Sequence, residues 1–140
     1  MTKALMMLSN LVLGFIKRVL DSDEPIDEVI SSYAYSERFV IAVDFQMMHK
    51  AITCDILEQT YDLASQNHDP IIGLAFLKQL NNSTNVLAKV ASFYNEEQRC
   101  HIGVSIFNIQ EKLLADVKSF FGEKMELDEN DVTNTSETNH

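Results

Sequence analysis

The chain has 140 residues, with 21 Asp and Glu against 11 Lys and Arg for a formal charge of −10, and it carries four Gly and two Pro. Its 46% hydrophobic content supports one modest packed domain and excludes a disordered chain, while so few Gly and Pro argue against a turn-rich β-sandwich. The acidic balance excludes general attraction to nucleic-acid phosphates, because that affinity comes from Lys and Arg displacing counterions.

The charge is unevenly placed. Residues 1–20 hold Lys3, Lys17 and Arg18 and no acid, giving +3, whereas residues 21–28 carry five acids and no base, giving −5. Residues 123–140 hold six acids against Lys124, another −5, so the stretch 29–122 is only −3. The body is nearly balanced, and any DNA contact falls to the N-terminal cations, multiplied in an oligomer.

Ala4–Ile16 is an apolar run after Lys3, broken by Ser9 and Asn10; it is too short to span a bilayer and lacks a small-residue cleavage site. Leu5, Leu8, Val12, Phe15 or Ile16, and Val19 step by three and four, which predicts an amphipathic helix over 4–20. Asp21-Ser-Asp-Glu-Pro25 ends it; Ser22 or Asp23 could cap the next helix, with Pro25 in its first turn, over about Ile26 to Tyr33.

From Ser36 onward Ile41, Phe45, Met48, Ile52, Ile56 and Leu63 form one stripe, edged by Phe39, Ala42 and Leu57. This predicts a helix of roughly thirty residues ending before Asn67. Phe39-Val-Ile-Ala-Val43 alone could be a buried strand, but the stripe runs through it without a change of phase. Asn67-His68-Asp69-Pro70 is a strong turn signal, after which Ile71, Leu74, Leu77, Leu80, Leu87 and Val90 carry the stripe on to about Asn95. The polar insert Asn81–Asn85 is either a hairpin turn or an exposed face of one continuous helix. A last helix is expected from Ile102 to Phe121, although Ile102-Gly-Val-Ser-Ile106 also alternates like a strand, and Gly122 is expected to stop it. Glu123–His140 reads as a disordered acidic tail. The fold class is therefore all-α: a helical bundle over 1–122, built around a long antiparallel hairpin at 36–95.

No catalytic, metal or cofactor constellation is evident. His49 and Cys54 are five positions apart on a helix and point in different directions, and Cys100-His101 lacks a second pair for zinc. His68 sits in the turn and His140 in the tail. No Gly-Lys-Ser/Thr loop and no Gly-x-Gly-x-x-Gly occurs, which argues against an ATPase or a dinucleotide enzyme. Cys54 and Cys100 set no disulfide framework, so the expected compartment is reducing cytoplasm, with no membrane association. Met6-Met7 and Met47-Met48 are adaptable apolar pairs that could fill a core or line a groove.

Arg38 and the apolar stretch after it, Ala51-Ile52, Ile56-Leu57-Glu58, Leu63-Ala64, His68 with Pro70, and Phe76-Leu-Lys-Gln-Leu80 with Asn85, Leu87 and Val90 follow a recognisable order. Over about residues 35–95 this resembles the central helical hairpin of terminase small subunits from T-even-type tailed phages. The resemblance implies a non-enzymatic oligomer, a ring, that helps select double-stranded viral DNA and stimulates the ATPase and nuclease of a large terminase subunit in the host cytoplasm. A hairpin with a two-sided stripe needs neighbouring copies to cover it, which makes Ile41, Phe45, Met48, Ile52, Leu77, Leu80 and Leu87 the expected oligomer interface and Lys3, Lys17 and Arg18 the expected DNA contacts. The competing expectation is a small acidic adaptor, chaperone or viral regulatory protein that holds a partner protein in an apolar groove beside Met47 and Met48.

Overall fold

The structure is a computed structural model; it describes the backbone over 8–82 and 87–137 and side chains as far as Val117. Among the described residues the chain is an all-α bundle of seven helices without strands: α1 (Asn10–Asp21), α2 (Ile26–Ser31), α3 (Tyr35–Thr53), α4 (Glu58–Gln66), α5 (Pro70–Asn82), α6 (Leu87–Ala91) and α7 (Glu96–Glu137). Both strand-like stretches, Phe39–Val43 and Ile102–Ile106, are helical. The expected stop at Gly122 is not seen, because α7 continues through it to Glu137; of the expected tail over 123–140, residues 138–140 lie outside the described residues.

Helix α1 starts later than its apolar spacing suggested. Ser9 is the N-cap, its Oγ accepting from the Val12 N–H at 3.3 Å, and Val12, Phe15 and Ile16 face inward at the i, i+3, i+4 spacing of a buried stripe. Ser22 closes α1 rather than opening α2: its N–H donates to the Arg18 carbonyl at 2.9 Å, while Pro25 occupies the N-cap of α2. Ser36 does not start α3. Ala34 stands at the N-cap, its N–H donating to Glu37 Oε1 at 2.9 Å.

The expected thirty-residue helix is divided at Cys54–Leu57 into α3 and α4. The cause lies far along the chain. Arg99 on α7 donates from Nη1 to the Ile52 carbonyl at 3.0 Å and to Asp55 Oδ1 at 2.7 Å, satisfying a carbonyl that the end of α3 leaves open. The Arg99 guanidinium holds the Asp55 carboxyl below its ordinary range, and Asp55 in turn raises Arg99.

Helix α7 begins at Glu96, six residues before the expected Ile102. Asn95 and Gln98 form a reciprocal cap, the Asn95 N–H donating to Gln98 Oε1 at 2.9 Å and the Gln98 N–H to Asn95 Oδ1 at 2.8 Å. The hairpin is also arranged differently: its arms, α3–α4 and α5–α6, pack chiefly on α7 rather than on each other. Helix α1 leans on α5 and α3, and α2 on α1. One contiguous core results, with Phe15, Phe45 and Phe76 fully buried; Phe15 meets Tyr33 and Phe45 edge-on at 5.7 and 5.9 Å between ring centres.

Among the described residues Arg38 is the one buried charged side chain, 8% exposed. Its Nε donates to the Tyr33 carbonyl at 2.8 Å and its Nη2 to the Ser31 carbonyl at 3.2 Å, its Nη1 lies 3.7 Å from Asp116 on α7, and the guanidinium stacks 4.6 Å from the centre of the Tyr35 ring. It thereby ties the end of α2, the start of α3 and α7 together.

Candidate functional site

The seven residues expected at an oligomer interface lie inside the single chain. Ile41, Phe45, Met48 and Ile52 are 0% exposed, Leu87 1%, Leu77 2% and Leu80 5%, so they are not available to a second copy. The expectation fails because the chain covers its own stripe, α7 and α1 packing on α3 and α5, and α6 on α3 and α5. Of the expected DNA contacts, Lys3 lies outside the described residues and Lys17 is exposed. Arg18 is engaged within its own chain: it binds Ser32 Oγ, pairs with Glu24 at 3.1 Å and stacks over the Tyr33 ring. It secures the acidic linker to α1 and has little left for a phosphate.

What the chain does expose is the other face of α3. Val40, Val43 and Met47 are 45%, 37% and 51% exposed, and Phe39 beside them is exposed as well. At 100° per residue they stand opposite the buried series Ile41, Phe45, Met48 and Ile52, so α3 is apolar on both sides. Met47 and Met48, adjacent in sequence, thus part company, Met48 filling the core and Met47 reaching solvent. The steps from Ser36 through Val40, Val43, Met47 and Lys50 to Cys54 are four, three, four, three and four, the spacing of a seam between two helices. That second series was legible in the sequence but was masked by the stronger inner stripe. A further apolar pair, Ile71 and Leu74, is exposed on α5.

The three described histidines, His49, His68 and His101, are occupied in packing. His68 Nε2 is 2.7 Å from Ser105 Oγ, and His101 Nδ1 accepts from the Asp69 N–H at 3.1 Å, with the two rings stacked 6.3 Å apart. The contacts fasten the turn before α5 to α7. Ser105 is wedged against Gly73, where a Cβ would overlap both its Oγ and its Cβ. His49 Nε2 is 2.9 Å from the Tyr61 hydroxyl, its ring packed between Tyr61 and Phe107 across α3, α4 and α7. Gly103 allows that closeness, since a Cβ there would lie 2.7 Å from Thr53 Cγ2 and 3.1 Å from the Tyr61 ring. Among the described residues no group of three His, Cys, Asp or Glu side chains could hold a metal ion, and no helix is long and apolar enough to cross a membrane.

Burial pushes the His49 imidazole below its ordinary range. The unfolded chain therefore binds a proton more readily than the native one, so His49 lowers stability as the pH falls past the ordinary imidazole value of about 6.5. The urea midpoint of the wild-type chain is expected to drop more between pH 7.5 and pH 5.5 than that of His49→Gln, the difference between the two slopes reporting this group alone.

Between α4 and the first turn of α7 lies a groove of about 540 Å³ with Leu63 and Ala64 on one wall, Glu96, Glu97 and His101 on the other, and Asn67 and Asn95 at its ends. No protein-family model, curated protein or solved structure matches the chain.

Proposed function

We propose that this protein acts without catalysis, as a self-associating helical subunit, and that its specific role is the one its hairpin resemblance implies: an accessory component of viral DNA packaging that serves a large ATPase and nuclease subunit. The observation that carries the self-association is the apolar outer face of α3, which leaves Val40, Val43 and Met47 in water although the helix already contributes Ile41, Phe45, Met48 and Ile52 to the core. Contiguous exposed apolar residues of this kind mark interaction surfaces. Ile71 and Leu74 on α5 supply a second, different patch. Two unlike patches meeting head to tail generate a ring when the rotation closes, whereas one patch meeting itself stops at a dimer. DNA contact in such a ring falls to Lys17, repeated once per copy and reinforced by Lys3.

Solution mass tests the reading. Light scattering should give a closed ring of about eight to twelve copies. Val43→Glu with Met47→Glu, and separately Ile71→Glu with Leu74→Glu, should each yield the 15.9 kDa monomer, and mixing the two variants should yield a dimer, because one intact pair of patches survives between them. A monomeric or dimeric wild-type chain overturns the ring. A ring that neither retards double-stranded DNA in a salt-dependent way nor stimulates a packaging ATPase overturns the packaging role.

A further inference from the structure

We infer that the groove between α4 and α7 is a docking site for a basic amphipathic segment of a partner protein, in which an apolar residue is flanked by Lys or Arg. This inference stands apart from self-association, since the groove shares no residue with the outer face of α3 or with the Ile71/Leu74 patch.

Three features point to that occupant. The α4 wall of the groove is apolar at Leu63 and Ala64, and Leu63 is 62% exposed, so an aliphatic side chain from a partner would remove both surfaces from water. Its charge has one sign. Glu96 and Glu97 stand on the α7 rim, and no Lys or Arg lines the groove. On the opposite flank of α4 a depression of about 560 Å³ is bordered by Leu57, Glu58 and Asp62, repeating the combination of exposed leucine and carboxylates. Finally, Arg99 on the same turn of α7 is spent, held by Asp55 and the Ile52 carbonyl, while Glu58, Asp62, Glu96 and Glu97 take part in none of the ion pairs of the described residues.

The α7 N-terminus does not reverse this preference. A helix start carries the equivalent of about +0.5 charge, which two carboxylates in the first turn outweigh, so the rim attracts cations and repels phosphates. Recognition then follows the helix-in-groove mode, apolar anchors providing affinity and flanking bases providing orientation and rate. The groove is also prebuilt. The Asn95–Gln98 cap fixes the α7 rim, and the Asp69 N–H holds the His101 ring in place as the wall.

Binding of a fluorescent Leu/Lys amphipathic peptide of about fourteen residues to the full chain, followed by anisotropy near physiological ionic strength, tests the inference. Leu63→Gln and Glu96→Gln with Glu97→Gln are each expected to weaken binding about tenfold, while Asp21→Asn with Asp23→Asn, which removes the same charge from the end of α1 and the linker after it, changes it less than about twofold. A Leu/Gln peptide without charge should not bind measurably. Equal losses in the groove and linker variants, unchanged affinity in the groove variants, or equal binding of the uncharged peptide would each overturn the site. Because the readout is peptide affinity rather than mass, its failure and that of the oligomer are told apart. Leu63→Gln sits on an exposed position and keeps the test valid should the glutamate pair weaken the start of α7.

Discussion

Gly73→Ala is expected to destabilise the protein by about 2–4 kcal/mol, a large effect for one methyl group. Helix α5 crosses α7 so closely at this point that a Cβ would overlap both Oγ and Cβ of Ser105. Rotating the serine hydroxyl relieves only half of that overlap, because the Ser105 Cβ moves only with the α7 backbone. The crossing must therefore widen, straining the His68–Ser105 and Asp69–His101 contacts on the same side. Adding Ser105→Gly to Gly73→Ala removes the clash and should recover part of the loss, less about 1 kcal/mol for a helical glycine and the lost His68 bond. Urea denaturation of the two variants and of Ser105→Gly alone closes a double-mutant cycle; additive costs would show that the crossing is not what requires glycine.

Arg38→Met is expected to cost about 2–3 kcal/mol, although methionine keeps most of the apolar stem. The loss comes from the Tyr33 and Ser31 carbonyls, which the guanidinium satisfies in a nearly buried setting, and not from Asp116, whose side chain is 73% exposed and whose pairing is weak in water. Asp116→Asn should therefore change stability by less than about 0.5 kcal/mol. Arg38→Lys should recover only a minor part, because an ammonium cannot serve two carbonyls and stack on Tyr35 together. Guanidinium chloride or urea midpoints for the three variants check the order; an Asp116→Asn cost equal to that of Arg38→Met would show that the ion pair matters most.

The helical character was plain in the sequence, since apolar residues recur at steps of three and four from Val12 to Val117 and Asn67–Pro70 punctuates them. What failed was the assignment of each stripe to its cover. Ile41, Phe45, Met48 and Ile52 look the same whether α7 or another chain lies over them, and periodicity carries no information about that choice. The division at Cys54–Leu57 was equally hidden, because the group that terminates α3 is Arg99, 47 positions away from the carbonyl it binds. The start of α7 was legible. Asn95-Glu-Glu-Gln98 is a capping pattern with acids in the first turn, overshadowed by the apolar series that begins at Ile102. The outer face of α3 could likewise be read from Val40, Val43 and Met47 once the inner stripe was set aside. The α4–α7 groove could not, since Leu63 and Glu96 come together only through the tertiary fold.

The placement of α7 has a consequence for how the protein is born. The helix against which α3, α4 and α5 all rest leaves the ribosome after them. Until residues as far as Val117 have emerged, those helices lack the element on which they pack most extensively. Folding thus waits for α7 and depends on contacts between distant parts of the chain, a regime in which nascent chains are most exposed to chaperones and to one another.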